Sequence, residues 1–346
     1  MSRSERANYL SILSVISAYA VITLHTNNIF WTFSHERYWF TANIIESFLY
    51  FAAPVFFMIT GATLLDFYDR YDLKEYFARR IKKTLIPYIF WSLIGILFTV
   101  WYLHWKTPED ITVQYIFSGL LSGNLVDIYW FFIPLFCVYV EIPLFAAVKT
   151  EKRNTVYTLI ISFFTVFNVI LPFISNVFGL GIKSSFSITA GSGYLMYVML
   201  GYLLDRNELD KKVRLTIYVL GALGLLAHII GTYSLSIEEG YIVQTYKGYQ
   251  NLPCLLYSVS IFVLGKYCGS YLLNNQIIRK IISFLSNYTY SLFLLHWFVI
   301  QMIIQQFQPN IRSIVYRLGC PALIVVVVIG VSSVIRKSRM GRFLLP

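Results

Sequence analysis

Charge is scarce in this chain. Asp, Glu, Lys and Arg make up 13% of its 346 residues against 57% hydrophobic ones, and mean hydropathy is +0.63. Such a composition excludes an ordinary soluble enzyme and reads as an all-α polytopic membrane protein. Acidic residues are the scarcer sign, 17 against 28 basic, leaving a net charge of +11. The basic residues are spread among short connections rather than gathered on one module, so no nucleic-acid partner is expected. Cysteine is sparse: Cys137, Cys254, Cys268 and Cys320 lie in or beside apolar segments without disulfide-like or metal-like spacing, and read as packing residues. No G-x-S-x-G elbow, P-loop or metal-ligand cluster occurs, which argues against a serine hydrolase, an ATP-driven pump and a metalloenzyme. The longest polar connections, near Asp66 to Lys83 and Tyr233 to Asn251, are too short to fold alone, so residues 1–346 are expected to form a single membrane domain. The first apolar stretch is too long for a signal peptide and lacks an A-x-A-like site, so it is expected to be retained. No internal repeat is visible, which disfavours many transporter folds.

What the chain has instead is apolar runs. Stretches near 9–31, 42–65, 84–104, 128–148, 156–177, 190–205, 215–235, 251–268, 281–306 and 314–335 approach the roughly 20 residues needed to cross a bilayer, so about ten spans are expected. With both termini placed in the cytoplasm, the 28 Lys and Arg collect on the inner side except Arg37, Lys106, Lys183, Lys247, Arg312 and Arg317, which fall in outer loops. Asp66 to Lys83 reads as an amphipathic cytoplasmic segment at the membrane surface, and Tyr115 to Leu121 as an apolar piece too short to span.

His25 stands in the nearly uncharged stretch Ala7 to Trp31. An ionisable group in a spanning helix is costly and normally faces a bundle interior or a water-filled cavity, which makes His25 the first candidate for proton transfer. Ser14 precedes it by eleven residues, so at about 100° per residue the two share one face about 16 Å apart, with Ser11 near that face. The stripe fits a hydrated path, although serines bonded to their own helix carbonyls explain it equally well. Glu46, Glu141 and His296, in the second, fourth and ninth spans, are candidates to orient His25 or line a cavity, or else to join helices. Tyr129 and Trp130 open the fourth span, as interfacial anchors or as a platform for a sugar.

Six pieces in order carry a resemblance: Tyr9-Leu10 with His25; Phe51-Ala52-Ala53-Pro54-Val55-Phe56-Phe57-Met58-Ile59-Thr60-Gly61; Arg80-Ile81-Lys82-Lys83-Thr84-Leu85-Ile86-Pro87-Tyr88; Tyr129-Trp130-Phe131-Phe132 with Pro143; Gly201-Tyr202-Leu203-Leu204; and Ser291-Leu292-Phe293-Leu294-Leu295-His296. Over almost its whole length the chain resembles the acyltransferase-3 family of integral membrane acyltransferases. The resemblance implies transfer of an acyl group, commonly acetyl from acetyl-CoA, to a hydroxyl of a bacterial cell-surface or capsular polysaccharide or its lipid-linked precursor. It also implies a multi-pass protein of the bacterial cytoplasmic membrane, with acyl-CoA as donor substrate and no tightly bound cofactor. The family's first-span motif pairs an arginine with a histidine one stripe further along. His25 matches the histidine, while Ser14 stands at the arginine position and Ser11 at an acidic one. A second motif, R-x-x-R, is matched by Arg80 and, in part, by Lys83, since lysine meets phosphate as a point charge without arginine's fork. The resemblance thus implies Arg79, Arg80, Lys83 and Ser14 as acyl-CoA contacts, unless the cations serve only as positive-inside anchors.

A sugar hydroxyl is a poor nucleophile, and a base near neutral pKa helps it attack a thioester, so His25 is the expected base, with Glu46 and Glu141 in support. Tyr129, Trp130 and His296 are the expected cavity or acceptor residues. Two other readings stay open: a proton-coupled transporter or exporter using His25, Glu46 and Glu141 as a relay, and a degenerate scaffold, suggested by Ser11 and Ser14.

Overall fold

The computed structural model describes residues 3–181 and 193–346, and no strand occurs among them. Nine stretches of these residues are helical, long and apolar enough to cross a bilayer. The first is α1 (Arg3–Thr26), and the second is a broken pair, α2 (Arg37–Leu49) and α3 (Ala52–Leu64). The break at Tyr50–Phe51 follows from Pro54, which has no N–H for the Tyr50 carbonyl and whose ring crowds it. That carbonyl is met by the Cys254 thiol at 3.8 Å, and the Phe48 carbonyl accepts from the Tyr257 hydroxyl at 2.9 Å.

Next, α4 (Leu73–Arg80) runs through a π-helical turn, Ile81–Leu85, into α5 (Ile86–Trp101). The expected surface segment is therefore continuous with the third span. Buried Tyr76 draws it in, packing on Phe67 and donating to the Tyr139 carbonyl at 3.0 Å. The π turn sits just ahead of Pro87, where a wider turn relieves the clash of the proline ring with the preceding carbonyls. A second π segment, Thr165–Ile170, lies likewise ahead of Pro172, between α8 (Thr150–Phe164) and α9 (Leu171–Phe178). Between α5 and α8 come α6 (Val113–Ser122), too short to span as expected, and α7 (Phe132–Ala146).

The sixth expected span is a twelve-residue helix, α10 (Leu195–Arg206), buried along most of its length; residues 190–192 of that expectation, like Lys183, lie outside the described residues. It packs on α3 so tightly that a Cβ on Gly61 would strike the Val198 carbonyl and one on Gly201 the Met58 carbonyl. Small residues at such crossings let two backbones touch, the packing that holds helices together where lipid offers no hydrophobic drive. The long α11 (Lys211–Glu239) lies at the periphery, with Leu223, Leu226 and Ile230 facing outward, and packs on α12 (Leu252–Leu272).

The ninth expected span, 281–306, is divided. Its first residues belong to α13 (Gln276–Ser286), an exposed amphipathic helix, and the crossing is made by α14 (Thr289–Phe307). Arg336 donates to the Asn287 carbonyl at 2.9 Å at the corner, satisfying a group that the broken helix leaves open. The chain closes with α15 (Ile314–Ile335) and α16 (Arg339–Leu344).

Helix α1 is the axis of the bundle, packed against α3, α12, α14 and α15. Arg6 bonds Asp205 at 2.7 Å, and Ser14, Lys83 and Pro346 line one space, so the first and last helices meet at the same end of the bundle. We call it the terminal end, and the other the far end.

Candidate active site

His25 lies in the last turn of α1, near the far end. It opens on a cavity of about 300 Å³ walled by Glu46 and Tyr50 of the second span, Trp130, Phe131, and Tyr249 from the loop after α11. Behind it, on α14, the His296 ring stands 5.2 Å from the His25 ring, centroid to centroid. His296 Nδ1 lies 2.7 Å from the Leu292 carbonyl oxygen, which only accepts, so Nδ1 carries a hydrogen and donates it there. The ring's Nε2 is buried and has no hydrogen-bond partner.

One wall of the cavity is a stack of rings. Tyr50 lies 4.2 Å from Tyr249 and nearly parallel to it, and Trp130 stacks on Tyr249 at 5.4 Å. A buried polar chain continues from Glu46, which also faces the cavity. Lys247 Nζ is 3.3 Å from Glu46 Oε1 and 3.5 Å from the centre of the Tyr50 ring. Asn27 donates to Glu46 Oε2 at 3.4 Å and accepts from Arg317 at 3.2 Å, while Arg317 also donates to the Thr41 hydroxyl at 2.7 Å. Burial pulls the Lys247 ammonium below the usual lysine range, against the opposing pull of the Glu46 carboxylate. Removing either partner of a buried pair strands the other charge, at a cost of about 3–5 kcal/mol.

A second cavity, of about 380 Å³, opens at the terminal end. Ser14, Lys83, Thr84, Tyr139, Tyr290 and Pro346 line it, and Lys83 is its one cation among the described residues. Lys83 and Thr84 reach it from the π turn, whose extra residue shifts the face the helix presents. Phe56, Phe131 and Phe293 line both cavities.

The expected residues therefore divide. His25, Glu46 and Trp130 share the far cavity with His296 behind them; Ser14 and Lys83 share the other. Arg80 stands beside this second cavity, 5.5 Å over the ring of Tyr139. Arg79 is held by Glu75 at 2.9 Å and lies over Tyr71. Tyr129 is turned from the cavity and donates to the Leu294 carbonyl at 2.8 Å, tying the turn just before α7 to α14. Glu141 lines neither cavity, and Ser11 opens on a separate groove beneath α13. Lys247 and Arg317, read from sequence as loop charges, are instead buried within the bundle. For Arg317 a signal existed, since it falls inside the apolar run 314–335; Lys247 carries none.

The match to a family model is extensive: the acyltransferase domain model Acyl_transf_3 covers residues 8–336. No curated protein and no solved structure matches the chain. With a histidine at the head of a cavity inside a bundle of spanning helices, and a family match over nearly its whole length, the chain belongs to the acyltransferase-3 family and is a multi-pass membrane acyltransferase.

Proposed function

We propose that this protein moves an acyl group, acetyl in the first instance, from cytoplasmic acyl-CoA to a hydroxyl of a bacterial cell-surface glycan or its lipid-linked precursor, in the cytoplasmic membrane. The observation that carries the reading is the pairing of two cavities along α1. One holds His25 among stacked aromatic rings and Glu46; the other holds Lys83 and Ser14 at the terminal end, where basic residues gather. By the positive-inside rule the terminal end is cytoplasmic, where CoA is found.

In this reading Lys83, with Arg80 beside it, meets the phosphates of the donor as point charges. The thioester arm extends along α1 toward His25, over the roughly 16 Å that separates Ser14 from it. A sugar lies against the Trp130 ring, whose flat apolar face suits the C–H face of a pyranose. His25 takes the proton of the acceptor hydroxyl as its oxygen bonds to the acyl carbon. The C–S bond then breaks, and the proton passes to the departing thiolate, leaving an ester and free CoA. His296 positions the His25 ring from behind, and Glu46, anchored by Lys247, offers an acceptor for a neighbouring hydroxyl. The transporter reading has less support, because Glu46 is committed to Lys247 and Glu141 lines neither cavity.

The test is acetyl-CoA turnover by purified protein in lipid, with and without envelope glycan. Wild type should release thiol in a glycan-dependent way, and His25→Ala should lose about 10²-fold or more of that rate without a change in thermal unfolding. An undiminished rate in His25→Ala would remove His25 from the chemistry.

A further inference from the structure

Three helices each carry one face through both cavities. On α1 the lining residues run Ser14, Val21, His25; on α3, Thr60, Phe56, Ala53; on α14, Thr289 and Tyr290 lead to Phe293, one turn before His296. Residues spaced by three, four or seven stay on one side of a helix, so the two cavities are one passage with an interruption. The interruption is made of side chains: Phe56, Phe131 and Phe293 are the described residues common to both linings. Phe131 lies 6.2 Å from Phe56 and 5.4 Å from Phe293, ring centre to ring centre. Phe57 packs on Phe131 at 4.8 Å, and Phe132, which also lines the terminal cavity, packs on Phe293 at 5.3 Å.

We infer that these three phenylalanines are a gate that sets the size of the acyl group transferred, an inference that rests on the acyltransferase reading above. The rings meet through dispersion contacts alone, so a rotation of one side chain opens the passage with no hydrogen bond to break. A slender thioester arm needs little more than its own thickness, and an acetyl group adds almost nothing to it. A longer acyl chain must stay among the rings or push them against Phe57 and Phe132, and a close-packed setting resists such displacement. When closed, the same rings keep water from running between the two ends of the bundle.

The experiment compares wild type with Phe56→Ala, Phe131→Ala and Phe293→Ala, purified in lipid and shown to be monodisperse, in thiol release from acetyl-CoA, butyryl-CoA and hexanoyl-CoA. Wild type should favour acetyl, and Phe131→Ala and Phe293→Ala should raise the hexanoyl-to-acetyl ratio about tenfold or more, the range that a few methylenes command in a fitted pocket. A second readout needs no catalysis. Ala53→Cys places a thiol in the far cavity, and a slim methanethiosulfonate supplied from the terminal end should label it faster once Phe131→Ala is added, after subtraction of labelling in the parent chain. Folded variants with an unchanged chain-length ratio would overturn size selection, and unchanged labelling would overturn the barrier. Failure of the acyltransferase reading looks different: folded wild type would release no thiol from any acyl-CoA, which removes size selection with it, while the labelling rate would still report the barrier.

Discussion

By the resemblance drawn from the sequence, Ser14 falls at the arginine position of the family's first-span motif, and Arg6, the nearest arginine before it on α1, is bonded to Asp205 and the Ala62 carbonyl. The cation that shares Ser14's cavity is Lys83, on another helix. A charge can be supplied from either side of one cavity, because what a phosphate or polarised carbonyl feels is the field at its own position. Lys83→Ala should therefore raise the KM for acyl-CoA about tenfold, in line with the loss of one charge-assisted contact, with a smaller change in kcat. Adding Ser14→Arg to that variant should restore affinity. Steady-state kinetics on the single and double variants decides it: no recovery would mean that the two positions do not serve one site. His25 was legible from sequence as a titratable group where titratable groups are costly. Lys247 and Asn27, which hold Glu46, were not, since a lysine between tyrosines and an asparagine at a helix end look the same in any loop.

At the level of elements, prolines and glycines decide where side chains point. Pro54 breaks the second span beside Tyr50, a wall residue of the far cavity, and the π turn before Pro87 delivers Lys83 and Thr84 to the other. Both prolines were visible in the sequence, but a proline marks a disturbance without saying whether the helix kinks, widens or stops. The glycines Gly61 and Gly201, members of separate family-like segments, each lie against a backbone carbonyl of the opposite helix at the α3–α10 crossing, Gly61 against Val198 and Gly201 against Met58. Gly201→Leu should force the two helices apart, because the obstacle is the Met58 backbone and no rotamer change relieves it. The expected result is a loss of about 3 kcal/mol or more, read as a lower midpoint in thermal unfolding in detergent. Gly330, which has open space where a Cβ would go, should tolerate alanine and serves as the control.

For the whole molecule, the charge distribution makes a claim about orientation that the fold allows to be tested. The terminal end carries the clusters around Arg79 and Arg336, and the connection after α5 lies at the far end. With the terminal end in the cytoplasm, Glu109→Cys should react with an impermeant maleimide in intact cells, and Lys337→Cys only after permeabilisation. The opposite pattern would invert the topology and remove the cavity proposed for the donor from the side that holds CoA.

By itself the sequence determined the class of this protein. Scarce charge and long apolar runs leave helices in a bilayer as the solution, because a backbone in lipid must satisfy its own hydrogen bonds. It also singled out His25, and the ordered segments pointed to the family whose model covers residues 8–336. Tertiary structure alone decided which residues share a cavity. Helical spacing placed Ser14 on the His25 face, yet it could not say that Lys83 would join Ser14 from another helix, that Tyr129 would turn away while Trp130 turned in, or that Glu46 would be held by Lys247 some two hundred positions along. Periodicity reports the faces of one helix; which faces meet depends on packing between helices distant in sequence, and that information is carried by no single segment.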